Sequence, residues 1–372
     1  MSVRRFVSGA VAAVVAVAVA GCSVTAPARP PEASGAAKVG HYAYLTIDFG
    51  EDWMTTESQM VVMDGTTELG RSEPLFLADP PEFTTDGQYV FTVPTMLDEI
   101  VAISVDGGER VSVPCEGCGQ AQLDCHCQVV APIGGSQVAW LGNDRHLMIA
   151  DLADEKAQPR RTGVTVPVKD GFLDEKIPPR LIAGTDGAAL AAYPPSGLPG
   201  DDLLPVYLVT PDGEPRHLDT GHPDSVDEAA FSPDGGKVAL YGNQEDACAT
   251  VTVVDVGTGE GKSAPVHAAA GQRCREIDVY VDAMWWDPDG TLNVTYQKNR
   301  DANLAAGPTP PSSDGQRRLD GSRWVDAGDA SGEVHQLSGG TAAIDDWKLT
   351  VSGGGDQAEI DTNVRYVTAA PR

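Results

Sequence analysis

A short hairpin recurs along the chain, and its recurrence restricts the fold more than any other feature. The clearest copy is the run 229–243, AAFSPDGGKVALYGN. Phe231 is a bulky residue suited to point inward. Pro233 then fixes φ, Asp234 bonds its own backbone and Gly235 takes φ > 0. Val238, Leu240 and Tyr241 continue as a short apolar strand. The same order of strand, tight turn and strand appears as FTTDG at 83–87 before QYVFTV, as GTDG at 184–187 before AALAAY, and as WDPDG at 286–290 before TLNVTY. Weaker copies are PIGG at 132–135 and AIDDW at 343–347. The turns recur about every fifty residues, a spacing that marks an array of like units.

A second element lies between the hairpins: a strand ending in aspartate, a glycine-rich turn, then another strand. Its copies end at Asp64, Asp106, Asp151, Asp212 and Asp255, with RWVD at 323–326 as a further one. Two hairpins in each period make four strands, the content of one propeller blade. These motifs resemble TolB-type and WD-like β-propeller repeats, with SPDG at 232–235 the best match, over roughly residues 40–370. The resemblance implies an all-β fold of four-stranded antiparallel blades. It implies little about activity, because propellers host binding modules and enzymes alike.

The chain has 372 residues, with 41 glycines and 27 prolines, as a turn-rich β fold requires. No long segment after residue 25 has helical periodicity. Residues 41–48 and 60–71 supply three strands without an obvious innermost one, and VRYVT at 364–368 is placed to fill that gap. Closing the ring with strands from both ends removes open sheet edges. This composite unit gives seven blades. The number is six if the hairpin near Trp347 shares a blade with 60–71.

The first residues carry an address. Arg4 and Arg5 precede an apolar stretch, 7–20, too short to span a bilayer comfortably. It ends in Val19, Ala20, Gly21 and Cys22, which resembles a bacterial lipobox. That resemblance implies a signal peptide at 1–21 and lipidation of Cys22. Residues 22–38 read as a Pro/Ala-rich tether, and 39–372 as a single propeller domain. The expected location is the extracytoplasmic face of the cell membrane. The Ala, Gly, Asp, Pro and Val content fits a high-GC actinobacterial source.

Six cysteines remain, an even number, which outside the cytoplasm reads as disulfides. Cys248 and Cys274 flank one outer strand and its turn, and are expected to pair. Cys115, Cys118, Cys125 and Cys127 sit in PCEGCGQAQLDCHC. Two local disulfides are expected, and a nested arrangement (Cys115 with Cys127, Cys118 with Cys125) would staple an inter-blade loop. Zinc is the alternative, with His126 nearby, but C-x-C makes a poor tetrahedral knuckle. A redox-active C-x2-C lacks its usual βαβ surroundings.

The net charge of −28 argues against nucleic acid, and against adhesion of the globular surface to anionic lipid. There is no G-x-S-x-G elbow, no H-E-x-x-H and no P-loop. Asp287 and Asp289, like Asp48, Glu51 and Asp52, have oxygens suited to calcium but read first as turn residues. Of Trp285 and Trp286, one takes the inward slot of Phe231, leaving its neighbour as a candidate surface aromatic. Residues 153–179 and 300–316 read as long irregular loops. The function expected is non-catalytic binding of a protein, peptide or cell-envelope ligand at the channel mouth and the loops of one face, with no cofactor. The alternative is a propeller lyase, hydrolase or quinoprotein-like enzyme with a channel metal.

Overall fold

Each pair of hairpins builds a sheet with two faces to cover, and a lone sheet of this size cannot cover either. The solution is seven sheets around one axis. The computed structural model describes residues 39–48, 57–76, 78–95, 97–118, 129–154, 156, 158–170, 176–177, 179–193, 205–218, 226, 228–242, 249–266, 279–298, 314–328 and 333–371. Blade 1 is composite. Its innermost strand is Val364–Ala369, followed outward by His41–Asp48, Glu57–Asp64 and Thr67–Arg71. Blade 2 runs outward as Glu82–Phe83, Tyr89–Thr92, Glu99–Ser104 and Arg110–Pro114. Blade 3 is Val130–Gly134, Gln137–Leu141, His146–Asp151 and Arg160–Thr165. Blade 4 is Arg180–Thr185, Ala188–Ala192, Val206–Val209 and Arg216–Leu218. Blade 5 is Glu228–Phe231, Lys237–Gly242, Thr250–Asp255 and Gly261–Pro265. Blade 6 is Val279–Trp286, Leu292–Lys298, Gly315–Asp320 and Arg323–Gly328. Blade 7 is Glu333–Leu337, Gly340–Asp345, Lys348–Gly353 and Asp356–Asp361.

The innermost strands adjoin in chain order, and Val364–Ala369 closes the circle between those of blades 7 and 2. Seven blades and the C-terminal closing strand match the expectation from sequence. Two details differ. The hairpin at Asp346–Trp347 joins the two middle strands of blade 7, whose innermost strand is Glu333–Leu337 with its turn at Ser338–Gly339. Within 153–179, Arg160–Thr165 is the outer strand of blade 3. Thr162 and Val164 point in while the arginines face solvent, so no apolar run announced it.

The antiparallel order sorts the connections onto two faces. Tight turns after the first and third strands share one face, and the second strands end at the other, where Asp346–Trp347 makes the tight turn of blade 7. On the turn face, Ser232 accepts and donates at once. Its Oγ donates to Asp234 Oδ1 (2.6 Å) and accepts from Lys237 N (2.9 Å), while Gly236 N also donates to Asp234 Oδ1 (3.0 Å). Gly235 sits at φ +67°, where a Cβ is strained. FTTDG repeats the pattern: Thr84 Oγ1 bonds Asp86 Oδ1 (2.6 Å) and Gln88 N donates to that same oxygen (3.0 Å). Both described ends of the chain reach this face. Ser338 Oγ donates to Val39 O (3.0 Å), and a Cβ on Gly87 would lie 3.7 Å from Pro371.

These turns have a pH signature. The Ser232 hydroxyl, then Gly236 N–H, holds the Asp234 carboxyl below its usual range, and the Thr291 side chain and backbone do the same for Asp289. A lowered folded-state pKa means the stabilisation is complete above the unfolded value of about 3.9. It is lost as pH falls through the folded value. Thermal melts between about pH 6 and pH 2.5 should show a shallower acid loss for an Asp234→Asn/Asp289→Asn double variant than for the parent. Equal slopes would remove the turns from the acid response.

Apolar residues fill the seams between blades. Blades 1 and 2 enclose Leu45, Val62, Val90 and Ile103; blades 2 and 3 enclose Phe91, Ile100, Val113 and Trp140. Further clusters lie between blades 3 and 4, 4 and 5, 5 and 6, and 7 and 1. The innermost strands of blades 3 and 4 approach closely. A Cβ on Gly184 would stand 1.8 Å from Pro132 O, so only hydrogen fits there.

Candidate functional site

Residues paired across antiparallel strands share one side of their sheet. The register therefore sorts blade 6 into two sides. Toward blade 5 it presents Val281, Met284, Trp286, Val294 and Tyr296, all within an apolar cluster. Toward blade 7 it presents Tyr280 with Gln297, Ala283 with Thr295 and Gln316, and Trp285 with Asn293 and Arg318. Blade 7 divides the same way. Leu337, Ala342, Ile344, Leu349 and Val351 pack toward blade 1. Its other side carries Gln336 with Thr341 and Ser352, and Val334 with Ala343 and Thr350.

Among the described residues, six seams thus hold apolar clusters, and the seam between blades 6 and 7 is lined by amides, hydroxyls and aromatic rings. Gln316, Thr341, Thr350 and Ser352 are half-buried there, while Ala342 and Ile344 on the opposite side of blade 7 are completely buried. The charged Arg318, Asp320 and Glu359 stay exposed toward the rim.

A bulge makes this arrangement possible. Asp282 is an extra residue between Val281 and Ala283 in the pairing with the next strand. It keeps Val281 and Met284 on the blade 5 side and turns Trp285 toward blade 7, as bulges re-aim side chains. Trp286 takes the slot of Phe231, and its Nε1 donates to Ala230 O across the seam with blade 5 (2.9 Å). Trp285 belongs to no apolar cluster. Its ring meets that of His335 on the innermost strand of blade 7, centroids 6.3 Å apart and tilted 31°. Deeper in the seam, Thr295 is fully buried, and its hydroxyl has no hydrogen-bond partner among the described residues. Such a group costs about 1–3 kcal/mol. Asn293 Nδ2 donates to Asp287 Oδ2 (2.9 Å) and to Thr291 O (3.3 Å), which fixes its amide over the turn.

The channel wall is uneven. Val130 to Ile133 of blade 3 and Arg180 to Ala183 of blade 4 are buried, whereas all four residues of Glu228–Phe231 are half-buried. Tyr280, Asp282, Trp285, His335, Arg365 and Tyr366 continue that accessible stretch.

Other residues singled out from the sequence fall elsewhere. Cys115 and Cys118 are bonded to each other, which corrects the nested pairing: a turn closed by Cys118 N donating to Cys115 O (3.1 Å) brings the two sulfurs together. Both are buried in the seam of blades 2 and 3. Cys22, Cys125, Cys127, Cys248 and Cys274 lie outside the described residues, as do Glu51 and Asp52. Asp289 Oδ1 is taken up by Thr291 N (2.9 Å), as a turn residue's would be, and the described residues contain no cluster suited to a metal. A further polar group, Asp144 with Arg161 (2.7 Å) and His146 (3.2 Å), closes on itself at the 142–145 turn of blade 3.

The strand pairing defines a seven-bladed β-propeller in which one seam is polar. No family model matches the chain, and no curated protein matches it. Solved structures do. TolB from Acinetobacter baumannii matches over 90% of this chain and 67% of its own, at 14% identity and a TM-score of 0.46. The β-propeller domain of the Trilobed protease from Pyrococcus furiosus matches over 88% and 96%, at 12% identity and 0.49. A putative 6-phosphogluconolactonase from Bacteroides uniformis matches over 88% and 98%, at 14% identity and 0.49.

Proposed function

We propose that this chain is a non-catalytic binding propeller, exported and held at the extracytoplasmic face of an actinobacterial cell membrane by lipid on Cys22. Its ligand, a protein, peptide or cell-envelope component, enters the seam between blades 6 and 7 and the adjoining channel wall. The observation that carries this reading is the seam itself, where a sheet face that would ordinarily be apolar carries amides, hydroxyls and Trp285. Burying polar groups against a neighbouring blade brings no stability unless they are satisfied. Support for the address comes from residues 19–22 and the Pro/Ala-rich stretch behind them. The net charge of −28 disfavours nucleic acid.

The test uses the full chain, tagged and incubated with solubilised cell envelope. The parent should retain an envelope component that Trp285→Ala retains at least about tenfold less, as a buried aromatic anchor demands. Gly163→Ala, on an open outer strand, should retain it fully. Equal capture by all three proteins would move the site away from the seam. Intact mass of the protein from its own host should show loss of 1–21 and acyl mass on Cys22.

A further inference from the structure

We infer that the ligand of this seam is a neutral saccharide, an inference that rests on the seam being the binding site. Charge narrows the choice first. A chain of net charge −28 repels an anionic ligand. A cationic ligand needs a buried acid facing it, and the paired rows inside the seam carry none: their charged residues, Arg318, Asp320, Arg323, Asp345, Lys348 and Glu359, are all exposed. Asp282, at the channel end, is already engaged within the protein.

What remains is neutral chemistry of a particular kind. Gln316 of blade 6 and Thr341, Thr350 and Ser352 of blade 7 lie on the sides of their sheets turned toward the seam. Amides and hydroxyls both donate and accept, as does each hydroxyl of a sugar. Trp285 adds a flat ring at the channel edge, outside every apolar cluster and half-buried. Its electron-rich face suits the electropositive C–H edge of a pyranose. The unpartnered hydroxyl of Thr295 sits at the floor of the seam, where a polar ligand group or the water it orders would satisfy it. A peptide recognised by strand addition would instead need a free sheet edge, and this seam is built from sheet faces.

Calorimetry and intrinsic tryptophan fluorescence on the full chain test the inference directly. The probes are neutral oligosaccharides of glucose, galactose and N-acetylglucosamine, a galacturonate oligomer, and a lysine-rich peptide. Solubilised cell-wall polysaccharide, run beside the free oligosaccharides, distinguishes the two sources of such a ligand. At least one neutral saccharide should bind saturably with a change in tryptophan emission, and Trp285→Ala should weaken it about tenfold. Gln316→Leu, a half-exposed position, should also weaken it, and serves if Trp285→Ala melts early. No binding by any neutral saccharide, or binding unchanged in both variants, overturns the inference; so does tighter binding of the charged oligomer or the peptide. If saccharides fail while Trp285→Ala still loses envelope capture, the seam stands as the site and only the ligand class falls. If capture also survives, both fall.

Discussion

Truncation after Thr362 should leave a chain with no cooperative thermal transition. The deletion removes the innermost strand of blade 1, Val364–Ala369, which pairs with His41–Asp48 from Tyr42 to Thr46. It also removes the Ile47 N to Asn363 O bond (2.7 Å). Val364 and Val367 leave the seam with blade 7, where they are buried beside Tyr42, Tyr44 and Ile344. Two buried valines are worth about 1.5–3 kcal/mol each, and a domain's whole stability is about 5–15 kcal/mol. The newly bared edge of His41–Asp48 also invites aggregation. Near-ultraviolet circular dichroism and gel filtration report both effects. A sharp melt within about 5 °C of the parent would show that the ring does not need its C-terminal closure.

Gly184→Ala should be strongly destabilising. The added carbon would lie 1.8 Å from Pro132 O and 2.8 Å from the carbon that bears it. The obstacle is backbone of the innermost strand of blade 3, held in place by Gly187 N donating to Ile133 O (2.9 Å). Ordinary overpacking costs about 1–3 kcal/mol. A clash with pinned backbone sits at or above that limit, so the melting temperature should fall by about 6–12 °C, at roughly 2–4 °C per kcal/mol. Gly163→Ala, with no atom within 4 Å of its new carbon, should melt with the parent. If the two variants melt together, blades 3 and 4 are not pressed against each other at Gly184.

Much of the architecture was legible in the residues, because the turn chemistry is local. SPDG at 232–235 and FTTDG at 83–87 form nearly the same hydrogen-bonded turn, so reading one reads the other. Blade 7 was misread at its inner end because Ser338–Gly339 lacks the Asp-Gly signature. Asp346 and Trp347 instead adopt positive φ (48° and 65°) in a tight turn that imitates it. The seam was legible only in part. The doublet at 285–286 announced one core ring and one available ring, and Trp286 and Trp285 take those parts. Asn293 and Thr295 alternate with Leu292, Val294 and Tyr296, which in a sequence reads as a strand with one face toward water. Register and burial are needed to see that this polar face is turned toward a neighbouring blade. The cysteine cluster was beyond reach for another reason: four cysteines admit three connectivities, and spacing alone does not choose.

Val39 lies against Ser338 and Pro371 close to Gly87, so the two described ends of the chain share the face of the tight turns. A label or surface coupled close behind Pro371 therefore meets the propeller on that face and leaves the opposite one free.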